Sequence, residues 1–264
     1  MLKRFIKHSL VGLGVAYCFS VALNTSPASA AQPKQNQNYN TFKEWCDNKE
    51  DISLDAKHTV EMLLGRAETR DCSEAEQELS KKIEILLEGN QITDIRPMSG
   101  LTNLRRIRIG GNDITDISPL SGLTNLTYLW LSGNQITDIT PLSKLTNLTY
   151  LKVSSNQITD IRPLSRLTNL TYLSLSGNKI TDISSLSGLA NLRELELYNN
   201  QITDISPLSE LTQLIELSLS FNKIKDISPL SRLLKLTEVW LRSNPIVNRT
   251  CPLQPENICK IDPD

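Results

Sequence analysis

Histidine is almost absent from this chain: there are two in 264 residues, His8 and His58. Aromatic side chains make up only 5%, and neither sign of charge prevails, with 28 Lys+Arg against 29 Asp+Glu. The scarcity of histidine removes the commonest general base and metal ligand, and no nucleophile elbow, phosphate-cradling loop or zinc-type Cys/His spacing replaces it. No catalytic residue, metal or cofactor is therefore expected. Balanced charge offers no basic surface, so nucleic acid is not an expected partner. The one apolar run of note lies in the first thirty residues, and no membrane span is expected once they are removed.

Those thirty residues have the form of a secretory signal peptide. Lys3, Arg4 and Lys7 precede the apolar stretch "VGLGVAYCFSVAL", and Ala28-Ser29-Ala30 follows as a small-residue cleavage site. Cleavage takes away three cations and no acid, which leaves the mature chain more acidic than the formal −1. Cys18 leaves with the leader. Four cysteines remain, Cys46, Cys72, Cys251 and Cys259, and an even number in an exported chain reads as disulfides. Of the three possible pairings, the local one joins Cys46 to Cys72 and Cys251 to Cys259, stapling each end separately.

Five segments are expected: the leader over 1–30, a polar flexible tether over 31–40, a helical cap over 41–78, repeats over 79–246 and a C-terminal cap over 247–264. Val60, Leu63 and Leu64 at helical spacing, with Phe42 and Trp45 as apolar anchors, carry the helical reading. His58, with no Ser, Cys or acidic constellation around it, reads as a surface or helix-packing residue.

What the chain has in abundance is one sentence rewritten. Asn90, Asn112, Asn134, Asn156, Asn178, Asn200, Asn222 and Asn244 recur every 22 residues, the mark of a stacked array. Within a unit such as "LTNLTYLWLSGN", Leu129 and Leu131 alternate with Tyr128 and Trp130, the period of a short strand with one buried face. The other half, "QITDITPLSKL", is too short for a regular helix and carries a proline, so 3-10 turns are expected. A buried amide where the chain leaves the strand can satisfy backbone groups of its own and the adjacent coil, so the asparagine column reads as a structural ladder. The aspartates at 94, 116, 138, 160, 182, 204 and 226 read as Asx-type turn formers rather than calcium ligands.

The recurring unit NQITDIxPLSxLTNLTxLxLSxN, over about Leu79 to Pro245 and preceded by a helical cap in an exported chain, resembles the leucine-rich repeats of the internalin family. The resemblance implies an α/β right-handed solenoid with a parallel sheet on its concave face, 3-10 turns on its convex face and protein binding as its role. Lys82 and Ser185 depart from the consensus Leu and Pro of the other coils. No LPxTG-type sorting motif occurs before Asp264, so the family's usual wall attachment is not expected.

Because the repeated positions are committed to the core, specificity must come from the variable ones. The first outward column runs Glu84, Arg106, Tyr128, Tyr150, Tyr172, Glu194, Glu216, Glu238, and the second includes Arg108, Trp130, Lys152, Glu196 and Trp240. Arginines come early, aromatics in the middle and glutamates late. The tyrosines read equally as a sheet-stabilising ladder and as a binding patch, since Tyr, Trp and Arg are favoured at hot spots. The expectation is a noncatalytic protein-binding module, secreted or periplasmic in a bacterium, with glycan or cell-wall binding through the aromatic patch as the alternative.

Overall fold

The structure, a computed structural model, describes residues 39–262. The expected leader, and the tether except for its last two residues, lie outside the described residues. Three helices come first: α1 (Phe42–Asp47), α2 (Leu54–Ala67) and α3 (Cys72–Lys81). Each start is fixed by a side-chain cap. Thr41 and Glu44 form a reciprocal capping box, Ser53 accepts from Ala56 N, and Asp71 accepts from Ser73 N and Glu74 N. Phe42, Trp45, Val60, Leu63, Leu64 and Leu79 are buried, so the cap has its own apolar centre. Its third helix runs on to Lys81, beyond the boundary at 78 read from the sequence.

The cap docks on the first coil through specific hydrogen bonds. Buried Thr59 donates Oγ1 to Asp94 O at 2.6 Å. His58 Nε2 lies 2.7 Å from Asn90 O, and since a carbonyl can only accept, the imidazole donates there. That gives His58 a role in docking α2 on the first coil.

Nine parallel strands follow in chain order within one sheet: β1 (Glu84–Leu86), β2 (Arg106–Arg108), β3 (Tyr128–Trp130), β4 (Tyr150–Lys152), β5 (Tyr172–Ser174), β6 (Glu194–Glu196), β7 (Glu216–Ser218), β8 (Glu238–Trp240) and β9 (Cys259–Lys260). Between them the chain returns through 3-10 turns such as Ser118–Gly122 and Thr140–Lys144. The central residue of each of the first eight strands points into a dry interior shared with the isoleucines and leucines of the returning half, as with Leu129, Ile136, Ile139, Leu142 and Leu145. A coil of this size buries nothing alone; stacking supplies the second surface. β9 is an addition that the sequence reading lacked. It pairs Val239 with Cys259 and Trp240 with Lys260, and the Cys251–Cys259 bridge pins it across the open end of the sheet. At the other end Cys46–Cys72 ties α1 to α3.

Asparagines 112 to 244 make the same bonds at each step. Asn134 accepts Ile114 N at 3.0 Å through Oδ1 and donates Nδ2 to Ile109 O of the preceding coil and Leu131 O of its own. Asn90 differs, and the ladder does not include it. Its amide donates to Glu88 O, because helix rather than coil precedes it and the partners of a preceding coil are missing. A second ladder lies at the surface, where Asn103, Asn125, Asn147, Asn169 and Asn191 each donate to a carbonyl 23 residues earlier. Ser185, the residue in place of proline, donates Oγ to Ile161 O of the coil before.

Each aspartate of the repeated column accepts the N–H two residues on at the start of a 3-10 turn, for example Asp116 from Ser118 at 2.7 Å and Asp226 from Ser228 at 2.8 Å. The hydroxyl of Thr140 holds the Asp138 carboxyl, and the side chain of Arg162 that of Asp160, below the ordinary 3.8; the backbone N–H of Ser184 and of Ser228 does so first for Asp182 and Asp226. A depressed folded pKa contributes stability that is present above the unfolded value and is lost as pH falls through the folded one. The urea midpoint is therefore expected to be flat from pH 7 to about 5 and to fall below about 4, and the fall should be shallower in Asp182→Asn with Asp226→Asn. A midpoint with equal acid slope in parent and variant would remove these turns as its cause.

Candidate functional site

The parallel register turns each repeat position into a column across the sheet. Glu84, Arg106, Tyr128, Tyr150, Tyr172, Glu194, Glu216 and Glu238 pair successively, as do Leu86, Arg108, Trp130, Lys152, Ser174, Glu196, Ser218 and Trp240, with Lys260 closing the second column. Side chains two apart on a strand share a face, so both columns lie on the side away from the core.

At the centre the tyrosines stack. Tyr128 and Tyr150 have ring centroids 4.2 Å apart at 7°, and Tyr150 and Tyr172 4.2 Å at 3°. Burial first, then the Tyr128 phenol, pushes the Tyr150 phenol up to about 12. Burial and the Glu196 carboxylate raise that of Tyr172, whose hydroxyl donates to Glu196 at 2.9 Å. Tyr150 and Tyr172 therefore stay neutral at physiological pH, and the three stacked rings form a half-buried strip.

Around them the early charges are neutralised within the sheet. Arg106 sits 3.3 Å from Glu84 and lies over Tyr128, while Arg108 binds Glu88 at 2.7 Å and lies over Trp130. Lys152 approaches the same indole from the strand on the other side, at 5.6 Å. Trp130 is half-buried, and its Nε1 is buried with no hydrogen-bond partner among the described residues. The ring fits because residue 110 beside it is glycine: a Cβ there would lie 3.0 Å from Nε1 and 2.9 Å from Ser132 O. The positive end expected from the arginines alone is muted, because Glu84, in the column of Arg106, and Glu88, one column beyond that of Arg108, reach them.

The face opens toward its C-terminal half. A cavity of about 750 Å³ is lined from Ser132 and Lys152, through Glu194 and Glu216, to Trp240 and Arg242. Its wall includes Tyr198 and Phe221, edge to face at 5.2 Å, and both remain 43% and 50% exposed. The sequence places Tyr198, Ser220 and Arg242 in a third outward column and Ser218 in the second, but none of these, nor Phe221, is among the residues expected to bind. The signal available was Tyr198 and Arg242 breaking a column otherwise rich in serine. Among the described residues no group of three or more His, Cys, Asp or Glu side chains could hold a metal ion. No helix among them is long and apolar enough to cross a membrane.

A right-handed parallel stack with one strand and one 3-10 turn per coil, bearing a variable outward face, defines a leucine-rich repeat protein. The family model for leucine-rich repeats, described as two copies per match, fits residues 83–122, 102–144, 124–166, 146–188, 168–210 and 212–254. The chain belongs to that family and, within it, to the internalin type. Among solved structures it is similar to internalin C2 of Listeria monocytogenes, with 34% identity, a TM-score of 0.71 and coverage of 76% of this chain and 90% of that one. It is similar also to InlF, an internalin of the same organism, with 35% identity, a TM-score of 0.70 and coverage of 74% of this chain; it spans 58% of that one. A plant peptide hormone receptor solved in complex with RGF2 matches more weakly, with 25% identity, a TM-score of 0.54 and coverage of 63% of this chain and 30% of that one. No curated protein sequence matches the chain. Leucine-rich repeat solenoids generally act as protein-binding modules.

Proposed function

We propose that this chain is an exported, noncatalytic protein-binding module whose concave sheet face receives the partner. The observation that carries the reading is the stacked Tyr128–Tyr150–Tyr172 strip beside Trp130, apolar area held rigid by parallel rings and flanking cations. Rigid aromatic area loses little conformational entropy on binding, which is why Tyr and Trp dominate hot spots. The complexed receptor supports a peptide or protein as the class of partner, and two disulfides suit an oxidising compartment. Arg106, Arg108, Lys152, Glu194, Glu196, Glu216, Glu238 and Trp240 border the strip and set the partner's orientation and association rate.

Crosslinked capture from the native envelope fraction supplies the partner, and titration then measures variants. Trp130→Ala with Tyr150→Ala is expected to weaken binding by about 2 kcal/mol or more with the fold intact by circular dichroism. Parent-like affinity in that double variant would make the tyrosines a sheet-stabilising ladder only and move the functional surface elsewhere.

A further inference from the structure

Two features of the C-terminal half of the concave face are unexplained by folding. First, Phe221 has φ 59°, in the left-handed region, at the turn position where four other coils have glycine with φ between 66° and 70° and three have the smaller polar residues Ser155, Asn199 and Ser243 with φ between 54° and 56°. A bulky side chain there is strained, and half-exposed Phe221 recovers little by packing. Second, Glu194 and Glu216 occupy adjacent strands in direct register, and neither has a cation at ion-pair distance among the described residues. Like charges opposite one another destabilise a sheet. The neighbouring Glu196 is occupied, holding the Tyr172 hydroxyl and Ser174 Oγ at 2.9 and 2.7 Å. The arginines of the early strands are occupied likewise.

We propose that this trough is the docking site for an extended peptide segment of the partner, carrying a single arginine or lysine flanked by neutral or acidic residues. The proposal rests on the concave-face reading and adds the chemistry of the ligand. In-register parallel strands lie about 4.8 Å apart, so one guanidinium can engage both the Glu194 and the Glu216 carboxylates. Its aliphatic stem and planar head lie against Tyr198 and Phe221, whose rings form the wall of the same cavity. Lys152 and Arg242 also line the trough, so a run of basic residues is repelled where a lone one is accepted.

The test selects peptides from a random twelve-residue phage-displayed library on the full mature chain and measures synthetic versions by fluorescence anisotropy. One basic residue with no basic neighbour should dominate the selected sequences. Binding should fall tenfold or more in Glu194→Gln with Glu216→Gln, and fivefold or more in Phe221→Gly. Neither variant should lose thermal stability, since one relieves like-charge repulsion and the other an unfavourable φ; a merely structural role for these residues would lower the melting temperature. Recovery of no basic consensus, or a polybasic one, overturns the proposal. Binding that survives the glutamine variant but is lost in Trp130→Ala with Tyr150→Ala overturns the trough and keeps the concave-face reading. Survival in both overturns both.

Discussion

Replacing Asn156 by alanine is expected to lower the unfolding free energy by about 3 kcal/mol, while the same change at Asn90 costs less than about 1 kcal/mol. Asn156 Oδ1 accepts the buried Ile136 N–H at 3.0 Å, and Nδ2 donates to Leu131 O and Val153 O, each at 3.1 Å. Alanine leaves the buried Ile136 N–H without a partner, at a cost on the order of 1–3 kcal/mol, and takes one donor each from Leu131 O and Val153 O, which Asn134 and Asn178 still reach. Asn90 has a single bond to a carbonyl at an accessible corner, which water can replace. Urea unfolding of the two variants side by side decides the matter. Equal losses would show that the column acts through local turn preference and not through bonding between coils.

Removing the Cys46–Cys72 bridge is expected to be as damaging. Its closed loop of 26 residues constrains the unfolded chain by about 3.5 kcal/mol on the chain-entropy estimate, against about 2.5 kcal/mol for the 8-residue separation of Cys251 and Cys259. The consequence differs in kind as well. Without the bridge, α1 with its buried Phe42 and Trp45 can leave α3, and the end of the first coil is uncovered to water. In a stack held by neighbour contacts, an uncovered end is where unfolding begins. Cys46→Ser with Cys72→Ser should therefore lose more stability than Cys251→Ser with Cys259→Ser, and limited proteolysis should cut first between α1 and α2. A larger loss at the C-terminal bridge would reverse the assignment of the weaker end.

The columns were legible because in a parallel array the period itself is the register: residues 22 apart, such as Tyr128 and Tyr150, must pair if the coils are to stack. Hydrophobic alternation gave the inward face for the same reason. What the repeat could not disclose lies where it stops or where side chains reach diagonally. β9 follows Pro245, after the period has ended, so no spacing announces Lys260 beside Trp240. The pairing of Arg108 with Glu88 runs between different columns and needs side-chain geometry to be seen. Asn90 fits the consensus and yet lacks the coil before it that gives the consensus its meaning. The trough escaped notice because it is made by what is small, Ser218 and Ser220, and by Phe221 at a turn position whose backbone angle no composition reports.

The hydrogen bonds between coils all join residues about one repeat apart, whether through the buried amides, the surface asparagines or the strands. Adding coils therefore lengthens the molecule without lengthening the loops that must close to build it, so relative contact order falls as the array grows. A chain of this kind has no need to be present in full before it begins to order. Emerging amino end first from a ribosome, it can set the helical cap, lay the first coil against it, and add each further coil to a template that is already in place.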